Sequence, residues 1–218
     1  FWTIGPDLRS ASVSDLLRNA PKGEGDEAFE TPTNGVSMAM NIETATPAGT
    51  VAITGARVLT MAAGLDTEDP GAIENATIVI EGDRIAAIGP ASEVDIPNGA
   101  TRIDASGKII MPALVEAHAH GPHGVNDMIP QQNWRLVQEL ALGVTTIHDP
   151  SNRASHIFAT AERQRAGMLL APRIFSTGEI IYGAKAPSVY ARSDSYEDAQ
   201  AHVRRIKAQG GVSVKNYN

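Results

Sequence analysis

Cysteine is absent from the 218 residues. That excludes disulfides, thiolate metal sites and a cysteine nucleophile, and leaves the compartment open between the cytoplasm and export to the periplasm. No apolar run approaches the roughly 18–20 residues needed to cross a bilayer. Positive charge is not in excess: the net charge of −7 offers no attraction to nucleic acid or to an anionic membrane, and neither is expected as a partner. No serine sits in a nucleophile-elbow context, and no glycine-rich loop has the form of a phosphate cradle. No short motif repeats in tandem. The chain opens on Phe1-Trp2-Thr3, without a basic region, an apolar leader or an initiator methionine, as expected of a segment excised from a longer protein.

What is present divides by rhythm. Residues 1–49 carry little periodicity and two turn-rich stretches, Pro21–Glu27 and Thr31–Gly35; they read as a tail or linker from a preceding domain, with one short helix at 12–19. Residues 50–111 are β-rich. Val51–Met61 alternates, and Thr77–Glu81 faces Arg84–Ile88 across Gly82-Asp83, a hairpin signal. Thr101–Asp104 and Lys108–Met111 add short strands, and the close spacing points to part of a small sandwich.

Residues 112–218 alternate strand and helix. An apolar strand at 110–117 precedes a helical pattern through Trp134, Leu136, Val137 and Leu140, read as a face packed on a sheet, and ending at Gly143. Val144–His148, Arg173–Ser176 and Val212–Lys215 read as strands two to four. Ala154–Ala166 and Asp194–Gln209 read as helices, the latter capped by Ser195 or Asp194 and stopped by Gly210-Gly211. Such alternation predicts parallel βα units. The fold class is α/β: the first half of a (β/α)8 barrel preceded by part of a β-sandwich, with an open α/β sheet as the alternative.

The histidines of Glu116-Ala117-His118-Ala119-His120-Gly121 carry the chemistry. At i and i+2 at the end of an apolar run, two imidazoles point to the same side of a strand. Neutral imidazole is the commonest ligand for zinc and related divalent metals, and barrels put their chemistry at this end of the strand. His148 follows the second strand, His123 the first, and Tyr182 and Tyr190 the third. Each is a candidate to line a substrate pocket, against the plainer reading of a solvated loop residue. Asp149, in Asp149-Pro150-Ser151-Asn152, reads as a turn cap, and His156 and His202 as structural.

These residues resemble the amidohydrolase superfamily over roughly 51–218. The resemblance rests on Gly55–Leu59, Ile80–Gly89, Asp104–Pro112, the His118/His120 pair and Gly143–Thr146, in that order and spacing. The branch is similar to the imidazolonepropionase- and prolidase-like hydrolases, among them bacterial proteins in which a TolB-like propeller precedes the hydrolase; Phe1–Arg9 would end that propeller. The resemblance implies hydrolysis of a C–N bond in a small amide, a dipeptide or a cyclic amide by water held on one or two divalent metals, zinc by default. His118 and His120 would be the first two ligands, and Lys215, carboxylated, would bridge the metals. Ala113 stands where the family commonly has glycine. The general-base aspartate and two further histidines are expected beyond Asn218, so the remaining half of the barrel would be needed in cis or in trans, and this stretch alone is expected to be inactive. A deaminase of a cyclic amidine or aminopyrimidine, a non-catalytic segment that assembles with a second chain, and an open α/β binding domain are the other readings.

Overall fold

A computed structural model describes residues 1–4, 7–19, 34–62, 71–126, 128–183 and 190–217. By internal contacts the chain forms two units, Phe1–Glu43 and Thr44–Asn218. In the first, β1 (Trp2–Ile4), β2 (Asp7–Arg9) and β3 (Gly35–Ser37) make an antiparallel sheet in that order. Helix α1 (Val13–Asn19) begins where the backbone N–H of Asp15 donates to Oγ of Ser12 at 3.1 Å, a side-chain cap. The helix was expected. The strands were not, because three-residue strands carry too little alternation to register.

In the second unit, β4 (Thr50–Leu59), β5 (Ala72–Glu81), β6 (Arg84–Pro90), β7 (Thr101–Asp104) and β8 (Ile109–Ile110) form one mixed sheet, ordered β6-β5-β4-β7 with β8 also on β4. Glu81 pairs with Arg84, so the hairpin loop is Gly82-Asp83 as expected. Gly82 has φ of +59° and Asp83 is not among the positive-φ residues, the pattern of a type II′ turn. The alternation of β4 buries Ala52, Ala56 and Val58, and the last two pack with Ala76, Ile78 and Ala105.

The parallel part follows. β9 (Leu114–Glu116), α2 (Trp134–Ala141), β10 (Val144–Asp149), α3 (Ala154–Arg165) and β11 (Arg173–Ser176) build a three-stranded sheet ordered β11-β10-β9, with both neighbouring pairs parallel. Asn133 caps α2 by accepting from the N–H of Arg135, and Gly143, at φ of +87°, ends it. Ile147 and Ile174 stand in register on one face and pack with Leu136, Ile157, Ala161 and Leu169. The opposite face presents Val115, His148 and Phe175, with Val115 64% and Phe175 43% exposed. Ile157 is fully buried in this core. Its replacement by alanine is expected to cost about 3 kcal/mol in a urea titration, since the hole left between helix and sheet cannot close fully.

Three expectations need correction. The single strand at 110–117 is two strands, one on each sheet. Pro112 has no N–H to give a ladder, so β8 ends before it on β4 and β9 starts after it on β10. The pair His118/His120 therefore lies in the turn beyond β9, not on a strand. Trp134 is 76% exposed and stands off the packed face of α2, which Leu136 carries. Val212–Lys215 is not a regular strand. Past β11 the chain turns at Gly178, with φ of +67°, into β12 (Ile180–Tyr182). The last segment follows that kinked path: Val212 N–H donates to Ser176 C=O, Lys215 C=O accepts from Ile181 N–H, and β14 (Asn216–Tyr217) pairs parallel with β12. β13 (Tyr190–Arg192) lies on the other side of β12. Helix α4 (Tyr196–Ala208) is capped by Ser195, whose Oγ accepts from the N–H of Asp198.

Candidate metal centre

Strand β10 ends in His148-Asp149, and this dipeptide organises the turn that carries the histidine pair. The backbone C=O of His148 accepts from Ala119 N–H at 2.9 Å, so the turn is tied to the strand midway between His118 and His120. Nδ1 of His148 donates to Ala117 C=O at 3.2 Å, since a carbonyl can only accept. That leaves Nε2 of His148 to accept from Oγ of Ser213 at 2.7 Å.

Asp149 is fully buried, and both its oxygens are occupied. Oδ1 faces Nδ1 of His120 at 3.3 Å and the N–H of Ser151 at 2.9 Å. Oδ2 faces Nε2 of His123 at 3.5 Å and Nδ2 of Asn152 at 2.8 Å. Burial alone would raise this carboxyl. The hydrogen bonds from His123, Ser151 and Asn152, with the charge of His123, outweigh it and hold Asp149 below the usual carboxylate range. Asn152 also donates to Gly121 C=O at 2.8 Å, which closes the loop around His123.

The rings of His118 and His120 lie edge to face with centroids 4.9 Å apart. Two imidazoles sharing one tetrahedral zinc, with Zn–N of about 2.0–2.1 Å, put their ring centres about 5 Å apart. Donor type and spacing therefore fit a divalent metal. Among the described residues no group of three or more histidines, aspartates and glutamates gathers as a ligand set.

The other expected residues fall into two places. His123 is 3% exposed and belongs to the Asp149 cluster, as a buried residue and not a solvated one. His148 bridges the β9 turn to Ser213, two residues before Lys215. The Nζ of Lys215 lies 5.4 Å from the ring centre of Tyr217, which in turn meets Tyr182 edge to face at 5.7 Å. Lys215 and Tyr182 thus share an aromatic cluster on β12 and β14. The side chain of Tyr190 lies outside the described ones. His202 donates from Nε2 to Arg192 C=O at 2.6 Å, a structural bond as expected.

Sequence reading missed Asp149 as part of the centre. Its signal was alternation. Asp149 stands two residues after Ile147, hence on the buried, helix-covered face of β10, where a carboxylate must be paired.

Fold and site together define a mixed α/β protein with a two-histidine cluster beyond the carboxyl ends of its parallel strands. No family model matches the chain. The imidazolonepropionase of Roseobacter denitrificans is 38% identical over 74 residues, which are 34% of this chain and 18% of that protein. The 5-methylthioadenosine/S-adenosylhomocysteine deaminase of Symbiobacterium thermophilum is 45% identical over 47 residues, 22% of this chain and 11% of that one. Among solved structures, a candidate prolidase from Bifidobacterium longum superposes with a TM-score of 0.59 at 26% identity, covering 78% of this chain and 41% of that chain. These likenesses support a member of the amidohydrolase superfamily. The chain spans less than half the length of that solved structure, and its matched stretches cover less than a fifth of these two curated relatives.

Proposed function

We propose that the chain contributes the metal-binding end of a barrel hydrolase that cleaves a C–N bond in a small amide, a dipeptide or a cyclic amide. The observation that carries this is the His118/His120 pair, with ring centres 4.9 Å apart beyond β9, in a chain similar over its matched stretches to members of this superfamily. His118 and His120 would hold the metal, zinc by default, and Lys215 is the proposed bridging ligand once its amine is carboxylated. Bound there, a divalent metal supplies a water whose pKa falls from about 16 toward 7 and polarises the carbonyl under attack.

The chain's own residues bind and orient. His148 stands on the open face of the sheet with Val115 and Phe175, where it can meet substrate, and His123 and Tyr182 are the other proposed pocket residues. Asp149 is not the general base: its two oxygens already face four N–H groups and have no lone pair to spare for a proton from water. The open sheet face and the short ligand set support a half-barrel that is completed by further strands, in cis or in trans. The likeness to a deaminase over 47 residues supports a second reading, removal of ammonia from a cyclic amidine or aminopyrimidine.

The test is hydrolysis of a panel of dipeptides, N-acylprolines and cyclic amides by the zinc-loaded protein with the completing strands present, in cis or in trans, and with ammonia release from aminopyrimidines followed in parallel. Amine release that disappears in His118→Ala is expected. Turnover that survives both His118→Ala and metal removal would refute the metal reading, and ammonia release alone would favour the deaminase.

A further inference from the structure

Asp149 does more than terminate a strand. Its carboxylate can only accept, and two groups other than imidazoles, the backbone N–H of Ser151 and the amide of Asn152, each donate to one oxygen. Each remaining oxygen face meets an imidazole nitrogen: Nδ1 of His120 and Nε2 of His123. A ring nitrogen facing a carboxylate must carry the proton, because two lone pairs would repel. The two histidines meet the same group through different nitrogens, so they are forced into opposite tautomers.

We propose that Asp149 is the positioning residue of this centre, fixing His120 as the Nδ1–H tautomer and His123 as the Nε2–H tautomer. Nε2 of His120 then carries the lone pair, on a side chain that is half exposed. This is the nitrogen a metal would take, and that consequence rests on the metal reading above; the tautomers do not. The cost falls on His123, whose Nδ1 is a buried acceptor without a partner. An unsatisfied buried polar atom is destabilising. It persists because the other tautomer would turn a lone pair on Asp149 and leave Nδ1–H as an orphaned donor. A carboxylate behind a ligand histidine is the usual device for orienting it, but here one carboxylate serves two rings.

The test is long-range 1H–15N correlation spectroscopy of the metal-free protein labelled at histidine, at about pH 8.5. In the wild type, a protonated Nδ1 at His120 and a protonated Nε2 at His123 are expected. In Asp149→Asn the amide oxygen should take the Oδ1 position, because the backbone N–H of Ser151 there can only donate, whereas the Asn152 amide can flip by giving up its bond to Gly121 C=O. His120 keeps its proton on Nδ1, while His123 now meets an NH2 group and moves its proton to Nδ1. In Asp149→Ala, if it folds, His120 drifts to the Nε2–H form favoured by free imidazole, and zinc affinity falls by roughly 10- to 100-fold. An Nε2–H proton on His120 in the wild type overturns the proposal, and so does a His123 signal unchanged by Asp149→Asn. A wild type with the expected tautomers and no zinc affinity would sustain Asp149's role and refute the metal reading.

Discussion

Replacing either His118 or His120 by alanine is expected to weaken zinc binding by about 100- to 1,000-fold. Structural zinc sites bind with about 10–16 kcal/mol shared over four ligands, or roughly 2.5–4 kcal/mol per ligand, and each 1.4 kcal/mol is a factor of ten. The two should not lose equally. His120 is held by Asp149 and its turn by the Ala119 to His148 backbone bond, so its nitrogen is placed before a metal arrives. His118 is fixed by the same backbone bond, and its ring rests on that of His120. Truncating His120 therefore removes a ligand and the support of its neighbour, and His120→Ala should be the weaker binder. His202→Ala is the control, since that ring donates to Arg192 C=O. Competition against a chromophoric zinc chelator measures all three. Equal affinity in His120→Ala and the wild type would sink the assignment.

Much of this architecture was legible because the signals were local. Gly82-Asp83 could be read as a hairpin loop, Gly143 as a helix stop and Ser195 as a helix cap, because each acts through its own backbone and the next few residues. The losses came where a distant partner decided. Pro112 looked tolerable inside an apolar run, yet its missing N–H is where the chain changes sheets. Val212–Lys215 has strand composition, but its partner turns at Gly178, and regular pairing resumes only at Asn216. Trp134 fits the apolar stripe of α2 by spacing and still faces outward. At the site, the turn reading of Asp149-Pro150-Ser151-Asn152 was correct, since the N–H of Ser151 does donate to Oδ1. That correct reading hid the second oxygen face, which only the arrival of a loop from 29 residues upstream could fill.

Asp149→Ala is expected to destabilise the protein by about 3 kcal/mol, because buried N–H donors lose a charged acceptor at about 1–3 kcal/mol each. Four N–H groups now satisfied by the carboxylate would face a cavity, and two of them, on Ser151 and Asn152, start the chain into α3. The pH dependence separates this from simple loss of volume. In the fold the carboxyl is held below its usual value, while in the unfolded chain it titrates near the ordinary aspartate value of about 3.9. A depressed carboxyl contributes stability in full above the unfolded value and loses it as pH falls through the folded one. Urea titrations of the wild type and Asp149→Ala should therefore differ by a constant amount near pH 5 and converge progressively below pH 4. A gap that stays constant down to pH 3 would mean that Asp149 stabilises by filling space, and that its charge does not hold the two histidines.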